Sequence, residues 1–198
     1  MTLCRLPLLL ALAVTPAQAG NQVYEELSAS MRASLQASIA DRAAPHLRFA
    51  NSSDAHKWLE EMHRRLRERI PDRKARSEFL TTVQYEATRA GLPTQLVLSV
   101  INIESGFRKY AISGAGARGY MQVMPFWTKL IGDPRHNLFN LRTNLRYGCV
   151  ILRHYLDLEK GEYYRALGRY NGSLGQAEYP NAVNAHWLGR WKYDGATS

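Results

Sequence analysis

A single glutamate stands where an apolar helical pattern gives way to a glycine-rich stretch. Apolar residues between positions 96 and 101 recur at helical spacing, and Pro93 suits a first helical position. Glu104 falls where this helix ends, on its apolar face. Both the negative end of the helix dipole and the apolar neighbours disfavour a charged carboxylate, so they raise the pKa of this glutamate. A carboxyl group that stays protonated near neutral pH can serve as a general acid. The alternative is a solvated glutamate at a frayed helix end, which would lie at the same distance from the apolar residues of the sequence.

The residues after Glu104 favour a sugar as the ligand. Positions 113–119 are S-G-A-G-A-R-G, and positions 120–125 are Y-M-Q-V-M-P. Glycines at this density let a ligand approach the backbone. No strand pattern precedes them and no GxGxxG or Walker pattern is present, which argues against a phosphate loop. Amide, thioether and aromatic groups together suit the hydroxyl groups and faces of pyranose rings. The alternative is a glycine-rich turn in which Met121 and Met124 fill the core.

Three motifs occur in a fixed order along the chain. They are Glu104-Ser105, then S-x-x-G-A-x-G-x-M-Q at 113–122 followed by V-M-P, and finally Tyr170-Asn171. With these motifs the chain resembles the Slt-type (family 1) lytic transglycosylases, which are lysozyme-like enzymes of bacterial cell walls. The resemblance covers residues 80–191, about half of the chain. Two motifs depart from the family pattern: Tyr120 replaces a leucine, and R-Y-N-G-S at 169–173 replaces A-Y-N-A-G.

The resemblance implies a peptidoglycan lytic transglycosylase that works without a metal or a cofactor. Such an enzyme cleaves the β-1,4 bond between N-acetylmuramic acid (MurNAc) and N-acetylglucosamine (GlcNAc) and leaves a 1,6-anhydro-MurNAc end. One carboxyl group, that of Glu104, acts first as the acid and then as the base. The residues implied to line the substrate cleft are Ser113, Met121, Gln122, Tyr170, Asn171 and Tyr179. Among them, the Tyr170 hydroxyl would assist the transition state and the Asn171 amide would orient the acid. A glutamate that usually precedes the last tyrosine by four positions is replaced by Gly175.

Two other functions stay open at this point. Ordinary glycosidases use two carboxylates, ~5–5.5 Å apart for retention or ~6.5–9.5 Å apart for inversion of configuration. A goose-type-like lysozyme would be such a hydrolase, with Asp133 or Glu178 placing a water molecule. A non-catalytic peptidoglycan-binding module would use the same cleft and a basic surface. Among the acidic residues of the predicted catalytic core, only Glu104 lies in a motif.

The first 19 residues have the pattern of a secretory signal peptide. Arg5 is followed by an apolar run at 6–14, and A-Q-A at 17–19 predicts cleavage after Ala19. The apolar run is too short to span a bilayer, which takes about 20 residues. We therefore expect export to the periplasm and no membrane span.

The charge of the chain favours an anionic partner. The formal net charge is +9, and it becomes +8 without the predicted signal, which holds one arginine and no acid. Export argues against nucleic acid, so we expect peptidoglycan glycan strands as the partner, with cell-wall or envelope machinery proteins as further candidates. No Cys/His spacing suggests a metal site, and Cys149 lies in an apolar helical pattern as a small buried side chain.

The expected architecture is mainly α. It comprises a lysozyme-like α+β catalytic domain with a very small β region at 111–122, preceded by an N-terminal helical segment. The expected boundaries are 1–19 for the signal peptide, 20–76 for the helical segment and 77–198 for the transglycosylase (SLT) domain. Helices are predicted at 24–39, 55–70, 75–90, 93–104, from 125, at 141–159, at 163–170 and from 179. The N-terminal segment is expected to pack on the domain or to bind a partner, without contributing catalytic groups.

Overall fold

The protein is mainly helical, as the sequence predicts. The computed structural model describes residues 22–40 and 43–195, and the predicted signal peptide lies outside these ranges. Within them the helices are α1 (Ala29–Ala40), α2 (Ser52–Leu66), α3 (Arg73–Arg89), α4 (Thr94–Glu104), α5 (Phe126–Ile131), α6 (Leu141–Leu158), α7 (Tyr163–Asn171) and α8 (Glu178–Leu188). In the same ranges, β structure is limited to two isolated antiparallel bridges, Ile112–Arg118 and Arg118–Val123. None of the helices described is long and apolar enough to cross a membrane.

Side-chain caps set where three of the helices begin. Asn51, Asp72 and Asn140 directly precede α2, α3 and α6, and each accepts a hydrogen bond from a backbone N–H three residues on. These bonds satisfy amides that have no partner inside the helix. At the other end of a helix, α7 stops at Gly172, which adopts a left-handed φ of 79°. The local sequence therefore fixes the helix ends near the predicted site.

Helix α4 is the buried centre of the molecule. It packs between α3 and α8, while α6 packs on α3 and α7. The apolar residues of α4, from Leu96 to Ile101, are fully buried. Each large aliphatic side chain that is buried in this way contributes roughly 1.5–3 kcal/mol to stability. The C-terminal end of α4, which carries Glu104, is consequently held in a rigid core.

The N-terminal segment shares one hydrophobic core with the rest of the protein. Leu27, Leu35 and Ile39 on or before α1 pack in the same cluster as α4 and α6, together with Trp58, Met62 and Leu66 of α2. The helix predicted at 24–39 begins only at Ala29. Residues 22–28, which we call the strap, form no helix, and their side chains reach across to α7 and to the loop after residue 111.

A buried cluster of charges fastens the C-terminal end of α1. The Glu86 carboxylate lies 2.8 Å from Arg146, 3.2 Å from Arg89 and 3.6 Å from Arg142. Two of these arginines also donate to α1 carbonyls: Arg146 to that of residue 39 and Arg89 to that of residue 38. Cations suit the negative end of a helix dipole. The N-terminal segment is therefore joined to the core by charge as well as by apolar packing.

Candidate active site

Glu104 lies at an abrupt end of α4. It is the last residue of the helix and only 4% exposed. The chain then turns through left-handed backbone conformations, with φ of 56° at Gly106 and 66° at Phe107. For a residue other than glycine this conformation costs of order 1–3 kcal/mol. It is maintained here because the Phe107 ring packs against the rings of Phe79 and Trp191. The direction of the chain after the glutamate is thus set by the aromatic core.

The Glu104 carboxyl group is bonded to a tyrosine of α8. The Tyr179 hydroxyl donates to Glu104 Oε1 at 2.6 Å, within the range of charge-assisted O–H···O bonds. Burial, with a further contribution from the Glu104 carboxyl, raises the pKa of Tyr179 well above its usual value. The phenol therefore stays protonated and remains a donor throughout the pH range in which a glutamate titrates. Sequence reasoning had assigned Tyr179 to the cleft only by its register in the family motif.

The residues of the predicted substrate loop hold the loop together. The Ser113 hydroxyl accepts from the Ala117 N–H at 3.1 Å. The Gln122 amide donates to the carbonyls of Ala111 at 3.1 Å and Gly119 at 2.9 Å. Gln122 itself has a left-handed φ of 47°. These bonds give the loop one shape, and contact of Ser113 and Gln122 with substrate stays a prediction.

Asn144, which the sequence analysis does not identify, binds the backbone of the loop from α6. Asn144 on α6 is fully buried, and its Oδ1 accepts from the Met121 N–H at 2.8 Å. Its Nδ2 donates to the carbonyls of Arg118 at 2.8 Å and Leu138 at 2.9 Å. The signal in the sequence was weak, because Asn144 is one of several polar residues of α6 and is buried together with Arg146 and His154.

Met121 and Tyr170 meet in the interior. The Met121 side chain is fully buried against Gly148, where an added Cβ would lie 2.3 Å from the methionine sulfur. The Tyr170 hydroxyl donates to the Met121 carbonyl at 2.7 Å. Burial raises the pKa of Tyr170 well above its usual value, and the Glu104 carboxyl contributes to this effect. Asn171 follows Tyr170 as the buried last residue of α7.

The other acidic groups of the catalytic region have partners or face solvent. Arg135 binds Asp133 at 2.6 Å, and its hydrogen bonds lower the pKa of that carboxyl. Asp133 borders a cavity of about 470 Å³ between α1, α5 and α6, and Glu104 is not among the residues that line it. Glu162 and Glu178 are exposed. The remaining pairs are Asp157 with Arg153, Glu159 with Arg165 and Arg169, and Asp194 with Lys192.

Neither a metal site nor a reactive thiol stands out in the part of the chain that the structure describes. In residues 22–40 and 43–195, no group of three or more His, Cys, Asp or Glu side chains is arranged to hold a metal ion. Cys149 is fully buried, and burial raises the pKa of its thiol well above the usual value. A buried neutral thiol is a poor nucleophile.

A family model and two curated relatives all identify this chain as similar to transglycosylases. Residues 81–186, from α3 to α8, match the family described as Transglycosylase SLT domain. The Transglycosylase of Enterobacteria phage PRD1 is 33% identical over 102 residues, which cover 52% of this chain and 37% of the phage protein. The Membrane-bound lytic murein transglycosylase C of Actinobacillus pleuropneumoniae serotype 5b (strain L20) is 31% identical over 118 residues, which cover 50% of this chain and 31% of that protein.

These comparisons confirm the resemblance that the motifs indicated. The chain spans about a third of the length of the curated relatives it matches. The family match itself covers more than half of the chain and contains Glu104, the glycine loop and Tyr179. The protein therefore belongs to the transglycosylase SLT domain family.

Proposed function

We propose that this protein is a peptidoglycan lytic transglycosylase. It would cleave the β-1,4 bond between MurNAc and GlcNAc and leave a 1,6-anhydro-MurNAc end. The observation that carries the proposal is the buried carboxyl of Glu104, with the Tyr179 hydroxyl 2.6 Å from its Oε1, in a chain of the SLT family. The names of the two relatives state transglycosylase activity for those proteins.

In the first step the protonated Glu104 carboxyl acts as a general acid. It donates its proton to the glycosidic oxygen, and the bond from that oxygen to C1 of MurNAc breaks. The GlcNAc side leaves as an alcohol, and positive charge develops at C1. The carbonyl oxygen of the MurNAc 2-acetamido group stabilises this centre. The Glu104 carboxylate formed in this step is stabilised by the hydrogen bond from Tyr179, which fits the preference of a charged acceptor for a strong donor.

In the second step the same carboxylate acts as a base. It accepts the proton of the MurNAc C6 hydroxyl while the C6 oxygen forms a bond to C1. The ring closes as a 1,6-anhydro sugar, and Glu104 returns to its protonated state. No water is consumed, and the proton balance is closed by one carboxyl group. Tyr179 retains its proton throughout and holds the orientation of the carboxyl between the two steps.

The environment of the other carboxylates favours this mechanism over hydrolysis. A hydrolase needs a second carboxylate that is basic enough to activate water. The pKa of Asp133 is lowered by Arg135, which makes it a weak base, and Glu178 is exposed on the first turn of α8. A non-catalytic wall-binding module would have no use for a carboxyl group buried beside a phenol donor. The substrate itself is therefore proposed to supply the nucleophile.

The remaining predicted site residues are proposed to bind or orient the glycan strand. Ser113 and Gln122 would face the sugars from the loop that they hold together. Met121 would shape the wall of the cleft through its backbone, whose carbonyl accepts from Tyr170. Because this bond occupies the Tyr170 hydroxyl proton, we propose that Tyr170 positions the loop rather than donating to the transition state. Asn171 would orient the acid from the end of α7.

The proposed location is the periplasm, after cleavage of the signal peptide behind Ala19. This part of the proposal rests on the sequence pattern of the first 19 residues and on the substrate class. The proposed partner is the peptidoglycan glycan strand, whose anionic surroundings suit a basic protein. Proteins of the cell-wall or envelope machinery are proposed as further partners. No cofactor or metal has a role in this scheme.

Digestion of purified peptidoglycan, followed by mass spectrometry of the soluble fragments, tests the proposal. Fragments ending in 1,6-anhydro-MurNAc are expected from the wild-type protein. Fragments ending in reducing MurNAc would contradict the proposal and indicate a hydrolase. Intact sacculi that retain the bound protein would contradict the proposal and indicate a non-catalytic wall-binding module.

A further inference from the structure

The strap at residues 22–28 places a polar side chain against the glycine-rich loop. Gln22 is only 4% exposed, although Val23 and Tyr24 next to it are each 58% exposed. The Gln22 side-chain carbonyl oxygen accepts from the Met124 N–H at 3.2 Å. Its amide nitrogen lies 3.5 Å from the Gln122 carbonyl oxygen. One carboxamide thus faces one backbone acceptor and one backbone donor of the loop.

This pair of backbone groups complements an amide. The Gln122 carbonyl and the Met124 N–H both face the Gln22 side chain, so together they can bind one donor and one acceptor. The 2-acetamido group on each sugar of peptidoglycan also presents one N–H and one carbonyl oxygen. The Gln22 carboxamide therefore has the same hydrogen-bonding groups as a sugar substituent of the proposed substrate.

The backbone groups that Gln22 contacts belong to the loop that Tyr170 holds. Burial, with a contribution from the Glu104 carboxyl, raises the pKa of the Tyr170 phenol, and the Gln22 side chain partly offsets this rise. The same phenol donates to the Met121 carbonyl at 2.7 Å. An acetamido group that bound to the Gln122 carbonyl and the Met124 N–H would consequently occupy the loop that Tyr170 holds through Met121.

The contacts that hold the strap are weak ones. The two Gln22 distances to the loop, 3.2 and 3.5 Å, fall at and beyond the long end of the normal N–H···O range. Glu25 pairs with Arg169 at 2.9 Å, but both side chains are partly exposed, and such pairs contribute little to stability. Tyr24 touches Phe126 through one edge-to-face contact. Leu27 is the first apolar side chain of the strap that is buried in the core, so the residues before it can leave at small cost.

We propose that Gln22 is an internal mimic of the substrate's acetamido group, which makes the strap an intramolecular competitor that the glycan strand displaces. The inference rests on the proposed function for the class of substrate. It does not require that the bond be cleaved, because competition is a property of binding. The strap lowers the apparent affinity for N-acetylated glycans by the fraction of molecules in which the subsite is occupied.

Binding of a GlcNAc tetramer tests this inference without turnover. The protein carrying Glu104→Gln serves as the reference, and isothermal titration calorimetry compares it with the same protein carrying Gln22→Ala as well. Because Gln22→Ala removes two long hydrogen bonds that hold the strap in place, the dissociation constant should fall by roughly 3- to 10-fold in the double variant. Gln36→Ala, a matched change at an exposed glutamine of α1, should leave the constant unchanged.

Each alternative result has a definite meaning. Equal affinity in the two forms, or weaker affinity after Gln22→Ala, overturns the inference, and the latter would make Gln22 a support for the loop. Absence of binding to either form overturns the acetamido subsite itself. Circular dichroism melts of both proteins establish that the comparison is between folded molecules. Gln22→Glu provides a second variant, since its carboxylate cannot donate to the Gln122 carbonyl, and it should tighten binding as the alanine does.

Turnover gives an independent readout that also separates this inference from the proposed function. With Glu104 restored, kcat/KM on peptidoglycan should rise by the same factor in the Gln22→Ala protein. A decrease in kcat/KM contradicts the competition. Products without anhydro ends would refute the proposed reaction. Tighter binding of the GlcNAc tetramer after Gln22→Ala would still support the strap as a competitor.

Discussion

Tyr179→Phe should move the pH dependence of turnover in a direction that the hydrogen bond to Glu104 determines. The change removes the hydroxyl that lies 2.6 Å from Oε1 and keeps the buried ring. A donor at this place stabilises the carboxylate relative to the protonated acid. Without it, the protonated form that begins the reaction persists to higher pH. The limb on which activity is lost with rising pH should therefore shift upward.

The size of the shift follows from the strength of the bond. A hydrogen bond to a charged group contributes about 1.5–3 kcal/mol. One pH unit corresponds to about 1.36 kcal/mol. The limb should accordingly move by about one to two pH units. Because burial raises the pKa of Tyr179 well above its usual value, ionisation of the phenol itself adds no limb in the same range.

Initial rates of muropeptide release, measured at constant ionic strength across the pH range in which both proteins stay folded, provide the assay. Tyr170→Phe is the matched control, since its hydroxyl donates to the Met121 carbonyl and not to the acid. In that variant we expect lower turnover, with the limb at the wild-type pH. A Tyr179→Phe limb that coincides with the wild-type limb would refute the assignment of Tyr179 as the donor to the carboxylate.

Three further substitutions test the acid and its supports. Glu104→Gln should lower turnover by roughly 10²–10⁴-fold while glycan binding is retained, and wall lysis within a few-fold of wild type would remove this residue from the mechanism. Gly148→Ala should lower both the melting temperature and turnover, because the added Cβ would lie 2.3 Å from a loop methionine sulfur, whereas Gly114→Ala meets nothing within 4 Å and should change neither. Glu86→Ala should reduce the free energy of unfolding in urea by roughly 3–5 kcal/mol, because it leaves the buried Arg146 without its anion. Glu60→Ala, which breaks the exposed pair with Arg73, should lower the free energy of unfolding by less than about 1 kcal/mol. Equal losses in the Glu86 and Glu60 variants would contradict the role of burial.

The helices were predictable from sequence because their apolar residues repeat with a strong period. The pattern from 96 to 101 predicted α4, and Glu104 proved to be its last residue. Side-chain caps such as Asn140 also lie in the local sequence, which explains the close agreement at the start of α6. The predicted start of α1 was wrong by five residues, since the strap contacts α7 and the loop instead of joining the helix. Local periodicity carries no information about such distant partners.

The site was predictable only in part. Glu104 was identified from its position at a helix end, and Tyr179 from its register in the family motif. Asn144 could not be identified in this way, because its partners lie 6, 23 and 26 residues away and are backbone groups. Every residue type has a backbone carbonyl, and all but proline have a backbone N–H. A sequence motif therefore cannot show which of these groups needs a side-chain partner. The contact of Gln22 with the loop, across about 100 residues, was hidden for the same reason.

The central claim is that the MurNAc C6 hydroxyl, and not water, attacks C1 after Glu104 has protonated the leaving oxygen. Digestion of purified peptidoglycan in heavy-oxygen water, with mass spectrometry of the new sugar ends, tests it most directly. The proposed mechanism predicts ends that are one water lighter than reducing MurNAc and that carry no heavy oxygen. Reducing ends labelled with heavy oxygen at C1 would contradict it.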